Sequence, residues 1–577
     1  MNLPTIRRRS VTCHPSDWPA EVHPILARVY AGRGVQPTES IEPRLAQLAS
    51  PAALGGIDAA CALLIEAIER GKRICIVGDF DADGATGTAV AVRALRLLGA
   101  GDVIYRVPNR FRHGYGLSPG LVEEMRSDAP DLIVTVDNGI ASHAGVEAAR
   151  ALGIRTIVTD HHLPSVTLPA AEAIVNPNLA GDAFPSKAIA GVGVVFYLML
   201  ALRARLRAMG RYAESLHGEP DLVALLDLVA LGTVADLVPL DANNRVLVTA
   251  GLKRIRAGRA CAGVQALFRA AGRDPTRAVA ADLAFALAPR VNAAGRLEDM
   301  DVGIECLLTD DASRAADLAE RLSAINAQRR EMQTAMVEQG EATVAAFIAE
   351  HGDDAFPQGV VLFQPDWHAG IVGLVASRLK DRLHRPVFAF APGEEGGDLR
   401  GSGRSIESFH LRDALAEVDA RCPGLIARFG GHAMAAGLSL APPHIERFAA
   451  EFAAVARARL DGEVLERVLW SDGALDPAQF DIEVALVLRY AGPWGQAFAE
   501  PLFDNVFRLE SWRRIGEEHL QLRLLIEGRG DPLEAVMFHA TECIPPPARL
   551  RAAYHLDVDE WNGRERLRLL VRHIEAA

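Results

Sequence analysis

Between residues 72 and 180 the chain alternates short runs of β-branched residues with stretches whose apolar residues recur every three or four positions. This alternation is typical of a parallel sheet whose strands are joined by crossover helices. A mostly helical stretch from about 188 to 258 completes this first domain. The pattern predicts strands at Ile74–Val77, Val103–Val107, Leu132–Val136 and Thr156–Thr159, and helices at Thr86–Leu98 and Ala144–Leu152.

Residues 311 to 350 contain no proline and a single glycine, Gly340. They predict one long helix or two nearly continuous ones, about 60 Å at the standard rise, which can tie two domains together. A second, smaller α/β domain follows. Its predicted strands are Val360–Phe363, Pro386–Phe390 and Arg400–Ser405, and its predicted helices lie at about 369 to 380 and 443 to 460.

From about residue 465 the pattern changes to alternating strands, which predict a small β-barrel. The pair Asn562-Gly563 has the chemistry of a type I′ hairpin turn. The predicted strands are Val506–Ile515, His519–Ile526 and Leu567–Ile574.

Composition narrows the class of protein. A chain of 577 residues with 50% apolar residues can form three or four domains with substantial cores. Its seven cysteines form no CxxC pair, so a reducing cytoplasm is expected. No apolar segment follows Arg7, Arg8 and Arg9, and the longest apolar run, Val192–Leu202, is too short for a bilayer, so we expect neither a secretory signal nor membrane association. The net charge of −13 argues only weakly against nucleic acid, because a nuclease can combine an acidic centre with a local basic groove.

Acidic residues follow three predicted strands at the point where each strand ends. The first strand runs into Gly78-Asp79-Phe80-Asp81-Ala82-Asp83-Gly84, another into Asp137-Asn138-Gly139, and a third into Asp160-His161-His162. In an open parallel sheet the ligand site lies beyond the carboxyl ends of the strands. Asp236 follows an apolar helix, at a turn from which it can fold back over the same edge.

Carboxylates with one or two imidazoles favour Mn²⁺ or Mg²⁺ over Zn²⁺. Two ions need one bridging acid, and Asp137 is the candidate because it comes from a central strand and has no histidine beside it. A pair of cations about 3.5 to 4 Å apart neutralises both the entering and the leaving oxygen of a phosphodiester. The acids therefore predict two-metal phosphodiester hydrolysis.

Each acid also has an ordinary structural interpretation. An aspartate at a strand-to-helix turn is often only an N-cap, and for Asp79 alone that interpretation is as good as metal binding. Asp81 and Asp83 together exceed what one helix start needs, whereas Asp236 taken alone is the weakest candidate. The joint arrangement is stronger than any of its members.

Four motifs taken together resemble the signatures of the DHH phosphoesterase superfamily. They are GDFDADG at 78 to 84, VDNG at 136 to 139, TDHH at 159 to 162 and GTVAD at 232 to 236. Further motifs resemble the RecJ family, the single-strand-specific 5′→3′ exonucleases of that superfamily. These are PNRF at 108 to 111, GYG at 114 to 116, PRVNAAGRL at 289 to 297, GSGRS at 401 to 405 and GGHAMAAG at 430 to 437.

The resemblance covers essentially the whole chain and implies its domain organisation. The implied fold is α/β: a parallel-sheet DHH domain, a long connecting helix, a smaller α/β DHHA1 domain across a cleft, and a C-terminal β-barrel of the OB-fold type. We expect an N-terminal extension at 1–69, the DHH domain at 70–260, the connecting helical region at 261–350, the DHHA1 domain at 351–460 and the OB-fold at 465–577.

The resemblance also implies roles for individual side chains. The implied metal ligands are Asp81, Asp83, Asp137, His161 and Asp236, with Asp79 as a possible addition. His162 would face the phosphate, and Asp160 would support it, so that His162, Asp137 and Asp160 form the catalytic group. The implied substrate-binding residues are Arg110, Arg290, Asn292, Arg296, Ser402, Arg404 and His432.

Each substrate-binding candidate has a plainer alternative. An arginine in a glycine-rich turn is usually a solvated surface charge, and His432 could be a packed core histidine. In the barrel, the candidates for DNA contact could equally fill its interior; they are Trp512, Arg513, Arg514, Trp561 and Arg564.

The sequence thus predicts a single-stranded-DNA-specific 5′→3′ exonuclease that releases 5′-mononucleotides with two Mn²⁺ or Mg²⁺ ions, in recombination and repair. The resemblance implies a single-stranded-DNA-binding protein and a repair helicase as partners. Two rival functions remain: a DHH-family phosphodiesterase of cyclic dinucleotides or short oligonucleotides, and a non-catalytic scaffold that binds single-stranded DNA.

Overall fold

A computed structural model describes most of the chain, and it divides the chain into two compact units. The described residues are 4–11, 15–38, 41–110, 112–213, 218–352, 355–393, 397–407, 409–460, 467–516, 518–540, 543–561 and 564–577. The larger unit comprises Arg8–Ala324 and Trp470–Ala577, and the smaller one Met1–Arg7 and Ile325–Leu469.

A five-stranded parallel sheet lies in the larger unit, in the strand order β3-β2-β4-β5-β6. Four of its strands confirm the sequence pattern to within one residue at each end. The fifth, β6, was not predicted because three residues are too few to show a period. The strands of this part of the chain are β1 (Thr5–Arg8), which lies outside the sheet, β2 (Ile74–Val77), β3 (Val103–Arg106), β4 (Leu132–Val136), β5 (Arg155–Thr159) and β6 (Ala173–Val175).

Helices cover both faces of the sheet, which is why its central strands are apolar at nearly every position. All residues of β2 and β4 are buried. The helices are α1 (Pro24–Ala31), α2 (Ile57–Glu69), α3 (Ala82–Leu97), α4 (Pro119–Glu124), α5 (His143–Ala151), α6 (Gly191–Ala208), α7 (Leu226–Ala235), α8 (Ala242–Arg256), α9 (Ala262–Ala270), α10 (Ala280–Asp282), α11 (Ala288–Leu297) and α12 (Asp301–Leu308).

The predicted long helix is a single one, α13 (Ala312–His351), which passes from the larger unit into the smaller. The smaller unit has a mixed five-stranded sheet in the order β10-β11-β9-β8-β7, with a core of phenylalanines. Its elements are β7 (Val360–Phe363), α14 (Val372–Leu383), β8 (Val387–Ala391), β9 (Leu399–Arg404), α15 (Leu411–Arg421), β10 (Arg428–Gly431), β11 (Ala435–Leu440) and α16 (Ile445–Arg459).

The C-terminal strands close into a five-stranded barrel in the order β13-β14-β15-β17-β16, which confirms the predicted β-barrel. The turn predicted at Asn562-Gly563 lies outside the described residues, as do the side chains of Trp561 and Arg564. The elements are β12 (Val468–Ser471), α17 (Ile482–Tyr490), β13 (Phe503–Ile515), β14 (His519–Leu525), β15 (Leu533–Met537), β16 (Arg549–Trp561) and β17 (Arg564–Ala576).

Ion pairs to two buried aspartates, Asp504 and Asp472, join the C-terminal part of the larger unit to its first residues. The Asp504 carboxylate accepts hydrogen bonds from Arg8 and Arg551, at 2.9 Å from Nε of each, and Arg33 Nη1 lies 2.9 Å from Asp472 Oδ1. Burial would raise the pKa of Asp504, but the hydrogen bonds from Arg8, Ser471 and Arg551 outweigh it and hold the pKa below its ordinary value. The charges therefore favour the docked barrel.

Among the described residues, no single helix has both the length and the apolar composition needed to cross a membrane. One bent pair, Leu45–Ala53 with Ile57–Glu69, meets that test by length and composition only.

Candidate metal centre

The three acid-bearing turns meet at one edge of the parallel sheet. Val77, the last residue of β2, pairs with Thr135 of β4, and Val136 pairs with Thr159, the last residue of β5. Because the strands are parallel and in register, the residues that follow them emerge side by side. The structure therefore brings the predicted aspartates and histidines together.

Asn138 fixes the shape of this edge. Its Nδ2 donates to the carbonyl oxygens of Val77, at 3.0 Å, and Val136, at 2.9 Å, so it ties the ends of β2 and β4 together. The turn is sharp: Asp137 has a φ of +62° and Gly139 a φ of +115°. A positive φ is uncommon for an aspartate, and such conformations concentrate at functional sites.

Asp137 lies at the middle of the cluster and is almost fully buried. Its Oδ1 is 3.0 Å from His161 Nε2 and 4.0 Å from His162 Nδ1, and it accepts no hydrogen bond from the described residues. A Cβ at Gly191 would lie 2.5 Å from Asp137 Cβ and 2.7 Å from Oδ1, so only glycine fits there. A buried carboxylate oxygen that accepts no hydrogen bond is well suited to bind a cation.

Asp81 and Asp83 combine helix capping with proximity to the cluster. Asp81 is the N-cap of α3, because its Oδ1 accepts from Gly84 N at 3.0 Å. Asp83 instead receives the first amides of α6, with Oδ2 2.7 Å from Gly191 N and Oδ1 2.8 Å from Val192 N. The start of α3 therefore uses Asp81 as its cap, and Asp83 binds the start of α6 instead.

The two histidines are oriented by their neighbours. Asp160 Oδ1 lies 2.7 Å from His162 Nδ1 and also accepts from the backbone amides of both histidines, while its Oδ2 accepts from Ile140 N. Asn178 and Asn176 donate to the carbonyl oxygens of His161 and His162. Asp160 therefore holds the loop that carries both histidines and engages the His162 ring, while its part in catalysis remains a prediction.

Asp236 does fold back over the sheet edge. It is the C-cap of α7, and its Oδ2 lies 3.5 Å from His161 Nε2. The residue that was weakest by sequence thus lies in the cluster.

The ligand atoms fall into three overlapping groups, each with its atoms within 4.8 Å of one another. Asp137 belongs to two of them and His161 to two. This overlap suits two cations that share Asp137. The groups are Asp79, Asp81 and Asp137; Asp137, His161 and His162; and Asp83, His161 and Asp236.

Electrostatics separate the acids of the cluster into two kinds. Burial, followed by repulsion from neighbouring carboxylates, raises the pKa of Asp79, Asp137 and Asp236 well above the ordinary value and that of Asp83 to about 7. Asp160 behaves differently: burial would raise its pKa, but the hydrogen bond and the charge of His162 outweigh burial, and the pKa is lowered. Burial would lower the pKa of His162, but the hydrogen bond to Asp160 raises it to about 9.

Divalent cations would offset the negative charge of the four aspartates whose pKa values are raised. A set of carboxylate oxygens with two imidazoles suits Mn²⁺ or Mg²⁺. The residues present therefore fit the implied metal.

Two of the substrate-binding candidates of the larger unit, Arg110 and Asn292, contact the acidic turn that follows β2 and support its structure. Arg110 stacks over the Phe80 ring, with its Cζ 4.1 Å from the ring centroid. Burial lowers the pKa of Arg110, although the negative charge of Asp79 acts in the opposite direction. Asn292 accepts a hydrogen bond from Ala82 N at 2.8 Å and so braces the acidic turn.

Arg290 donates to Ser323 Oγ at 3.0 Å and to the Ala286 carbonyl, while Arg296 is half-buried in the last turn of α11. Their contact with substrate remains a prediction.

Ser402 and Arg404 form a small polar group within the smaller unit. Arg404 Nη1 donates to Ser402 Oγ at 3.1 Å. A Cβ at Gly373, in the first turn of α14, would lie 2.9 Å from Ser402 Oγ and 3.0 Å from Arg404 Nη2. His432 is exposed in the turn between β10 and β11, and is therefore not the packed core histidine of the plainer interpretation. The roles of these residues in binding remain predictions.

Tyr115 belongs to the site but received no role from the sequence. Its hydroxyl donates to the carbonyl oxygen of Asp137 at 3.0 Å and lies 3.4 Å from His162 Nδ1. Its ring meets the His162 ring edge-on, with centroids 5.9 Å apart. Its signal in the sequence is the GYG motif at 114 to 116, whose two glycines both have a positive φ in the structure.

Comparisons with known proteins identify three domains in the chain. Residues 73–233 match the DHH family N-terminal domain, 357–458 the DHHA1 domain and 471–573 the RecJ OB domain. The fold and the metal centre thus define an enzyme of the DHH family.

A single-stranded-DNA-specific exonuclease RecJ of Dickeya dadantii is 51% identical over 577 residues, 100% of both chains. The chain belongs to the RecJ family.

Solved structures show the same architecture. RecJ of Thermus thermophilus in complex with Mn²⁺ is similar with a TM-score of 0.82 and 33% identity, covering 99% of this chain and 79% of that one. The same protein in complex with Mg²⁺ is similar with a TM-score of 0.76 and 31% identity, over 99% and 78% of the two chains.

The hydroxyl of Tyr115 can be removed without changing the ring. We expect Tyr115→Phe to weaken Mn²⁺ binding and to lower the rate of hydrolysis about three- to tenfold, the equivalent of one hydrogen bond, because the backbone of Asp137 loses its donor. Calorimetric titration with Mn²⁺ measures the first effect, and the initial rate of digestion of a labelled single strand measures the second. Tyr212→Phe, near the end of α6, is the matched control. Unchanged Mn²⁺ affinity and rate in Tyr115→Phe would remove Tyr115 from the site.

Proposed function

We propose that this chain is a metal-dependent exonuclease that hydrolyses single-stranded DNA from its 5′ end and releases 5′-mononucleotides. The observation that carries the proposal is the shared carboxylate: Asp137 joins two groups of ligand atoms at one sheet edge. The full-length similarity to RecJ, a single-stranded-DNA-specific exonuclease, supports the substrate.

The proposed metal ligands are those that the sequence indicated. Asp79, Asp81 and Asp137 form one group of ligand atoms, and Asp83, His161 and Asp236 form another. We propose that each group holds one ion and that Asp137, whose Oδ1 lies 3.0 Å from His161 Nε2, also serves the second. Bound Mn²⁺ or Mg²⁺ would neutralise the charge of a phosphodiester and lower the pKa of a water molecule. The binding of both ions by the related RecJ of Thermus thermophilus supports this choice.

His162 is the proposed partner of the phosphate. Asp160 engages its Nδ1, which sets the tautomer and directs Nε2 away from Asp160. We propose that Nε2 donates to a phosphate oxygen at the scissile bond. Asp160 is then a positioning residue rather than one that touches substrate.

The 5′-phosphate is proposed to bind in the smaller unit, at Ser402 and Arg404. A guanidinium beside a hydroxyl and the first turn of α14 offers charge-assisted donors to a phosphate, and the helix start favours negative charge. Arg110, Arg290, Asn292, Arg296 and His432 are proposed to contact the rest of the strand.

The barrel is proposed to hold the strand beyond the active centre. Trp512 is partly exposed on β13, beside Arg513 and Arg514, as stacking on bases and attraction to phosphates require. We further propose, on the family resemblance, that the enzyme acts in recombination and repair with a single-stranded-DNA-binding protein and a repair helicase.

The shared role of Asp137 makes a direct test of the reaction. We expect Asp137→Asn to slow the digestion of a labelled, 5′-phosphorylated single strand by at least about a hundredfold, since even residues that only support metal ligands cost ten- to a hundredfold. Chelation of the metal should have the same effect on the wild type. Products are sized from each labelled end, and Glu147→Gln, an exposed acid on α5, is the control.

Other outcomes of that assay would favour the rival functions. Faster turnover of dinucleotides than of long strands would favour a small-substrate phosphodiesterase. Equal digestion by Asp137→Asn and the wild type would exclude the proposed centre.

The proposed phosphate site makes a separate prediction. We expect Arg404→Ala to raise KM about tenfold or more for strands with a 5′-phosphate and to change it little for strands with a 5′-hydroxyl, because a charge-assisted hydrogen bond is lost. Mn²⁺ affinity should not change. Arg412→Ala, an exposed arginine on α15, is the matched control. An equal effect on both strand ends would remove Arg404 from the phosphate site.

A further inference from the structure

Two leucines at the metal centre are unusually exposed. In the described part of the chain, the two most exposed leucines are Leu237, at 66%, and Leu163, at 64%; the next is Leu97 at 49%. Leu237 directly follows Asp236, and Leu163 directly follows His162. The most solvent-exposed leucines thus adjoin two residues of the cluster, on separate loops.

Leu237 also has a backbone conformation that leucine rarely adopts. It follows the C-cap of α7, and its φ is +58°. Glycine is the usual residue at this position of a helix end, because it has no Cβ to clash in the left-handed region. A leucine here costs stability twice, through its backbone and through an apolar side chain left in water.

We propose that Leu163 and Leu237 form an apolar pair that packs against the nucleobases of the first nucleotides of the DNA strand. The inference rests on the proposed function and names a contact that the metal ligands cannot make. Bases are flat and largely apolar on their faces, and the phosphate and sugar offer no comparable surface. Apolar contact is non-directional, so it would hold any base without reading the sequence.

The test uses Leu237→Gly, a substitution with opposite effects on stability and on binding. Glycine relieves the positive φ, so the midpoint of thermal unfolding should equal or exceed that of the wild type. KM for a 5′-phosphorylated single strand should rise roughly tenfold, the scale of a lost methylene contact or two. Leu163→Ala should raise KM in the same direction with no change in the unfolding midpoint.

A second substrate identifies what the leucines touch. The same strand is prepared with abasic residues at its first three nucleotides. Both variants should then match the wild type in KM, because the bases that they no longer contact are absent.

Two control variants match the chemistry at other places. Leu97→Ala removes an exposed leucine at the far end of α3, and Ala129→Gly relieves a φ of +47° before β4, at the opposite edge of the sheet. Neither should change KM.

The outcomes separate this inference from the proposed function. Wild-type KM in both leucine variants, or the same rise in KM on abasic and base-containing strands, would overturn the contact with bases and leave the exonuclease intact. A lower unfolding midpoint for Leu237→Gly would also contradict it, since the leucine would then be structural. A wild-type protein that digests neither strand would overturn the proposed function and this inference with it.

Discussion

Mutual repulsion among buried carboxylates at one sheet edge is the constraint on which the rest of the site depends. Burial and like charge raise the pKa of Asp79, Asp137 and Asp236. A fold without a further ligand would gain stability by replacing such groups with apolar ones. The cluster is therefore understandable only as one half of an interaction whose other half is cationic.

Uncharged backbone donors hold several of these carboxylates in place, and the positive charges of Arg110 and His162 act on Asp79 in addition. Backbone amides at the starts of α3 and α6 bind Asp81 and Asp83, and Asp160 collects three donors besides the ring of His162. Helix starts favour negative charge without contributing a cation that would compete with the metal. Within the described residues no such donor binds Asp137 Oδ1, which suits its central place. For Asp81 and Asp83, binding a helix start is thus compatible with the proposed role as a metal ligand.

The sequence predicted the parts of this site that depend on local pattern. Strands buried on both faces are recognisable as short apolar runs, and acids at their ends must meet when the strands are parallel. For that reason the first three turns and the identity of Asp137 as the central acid could be inferred without coordinates. The barrel and the long helix α13 were likewise local patterns, and both are present.

What the sequence could not supply depends on contacts between distant residues. Asn292 braces Ala82 across 210 positions, and Asp83 reaches α6 across more than a hundred. The periodicity of the sequence carries no information on such pairs, so neither the hydrogen bond of Asn292 to the acidic turn nor that of Asp83 to α6 could be predicted. Tyr115 and Leu237 were overlooked because hydrogen bonding to Asp137 and a positive φ are properties of the folded backbone.

The central claim is that one carboxylate is shared by two metal ions. Anomalous diffraction at the manganese edge, from crystals of the wild-type protein soaked in Mn²⁺, measures this directly. The account predicts two peaks about 3.5 to 4 Å apart, one on each side of the Asp137 carboxylate. A single peak that does not contact Asp137, or peaks away from this sheet edge, would contradict it.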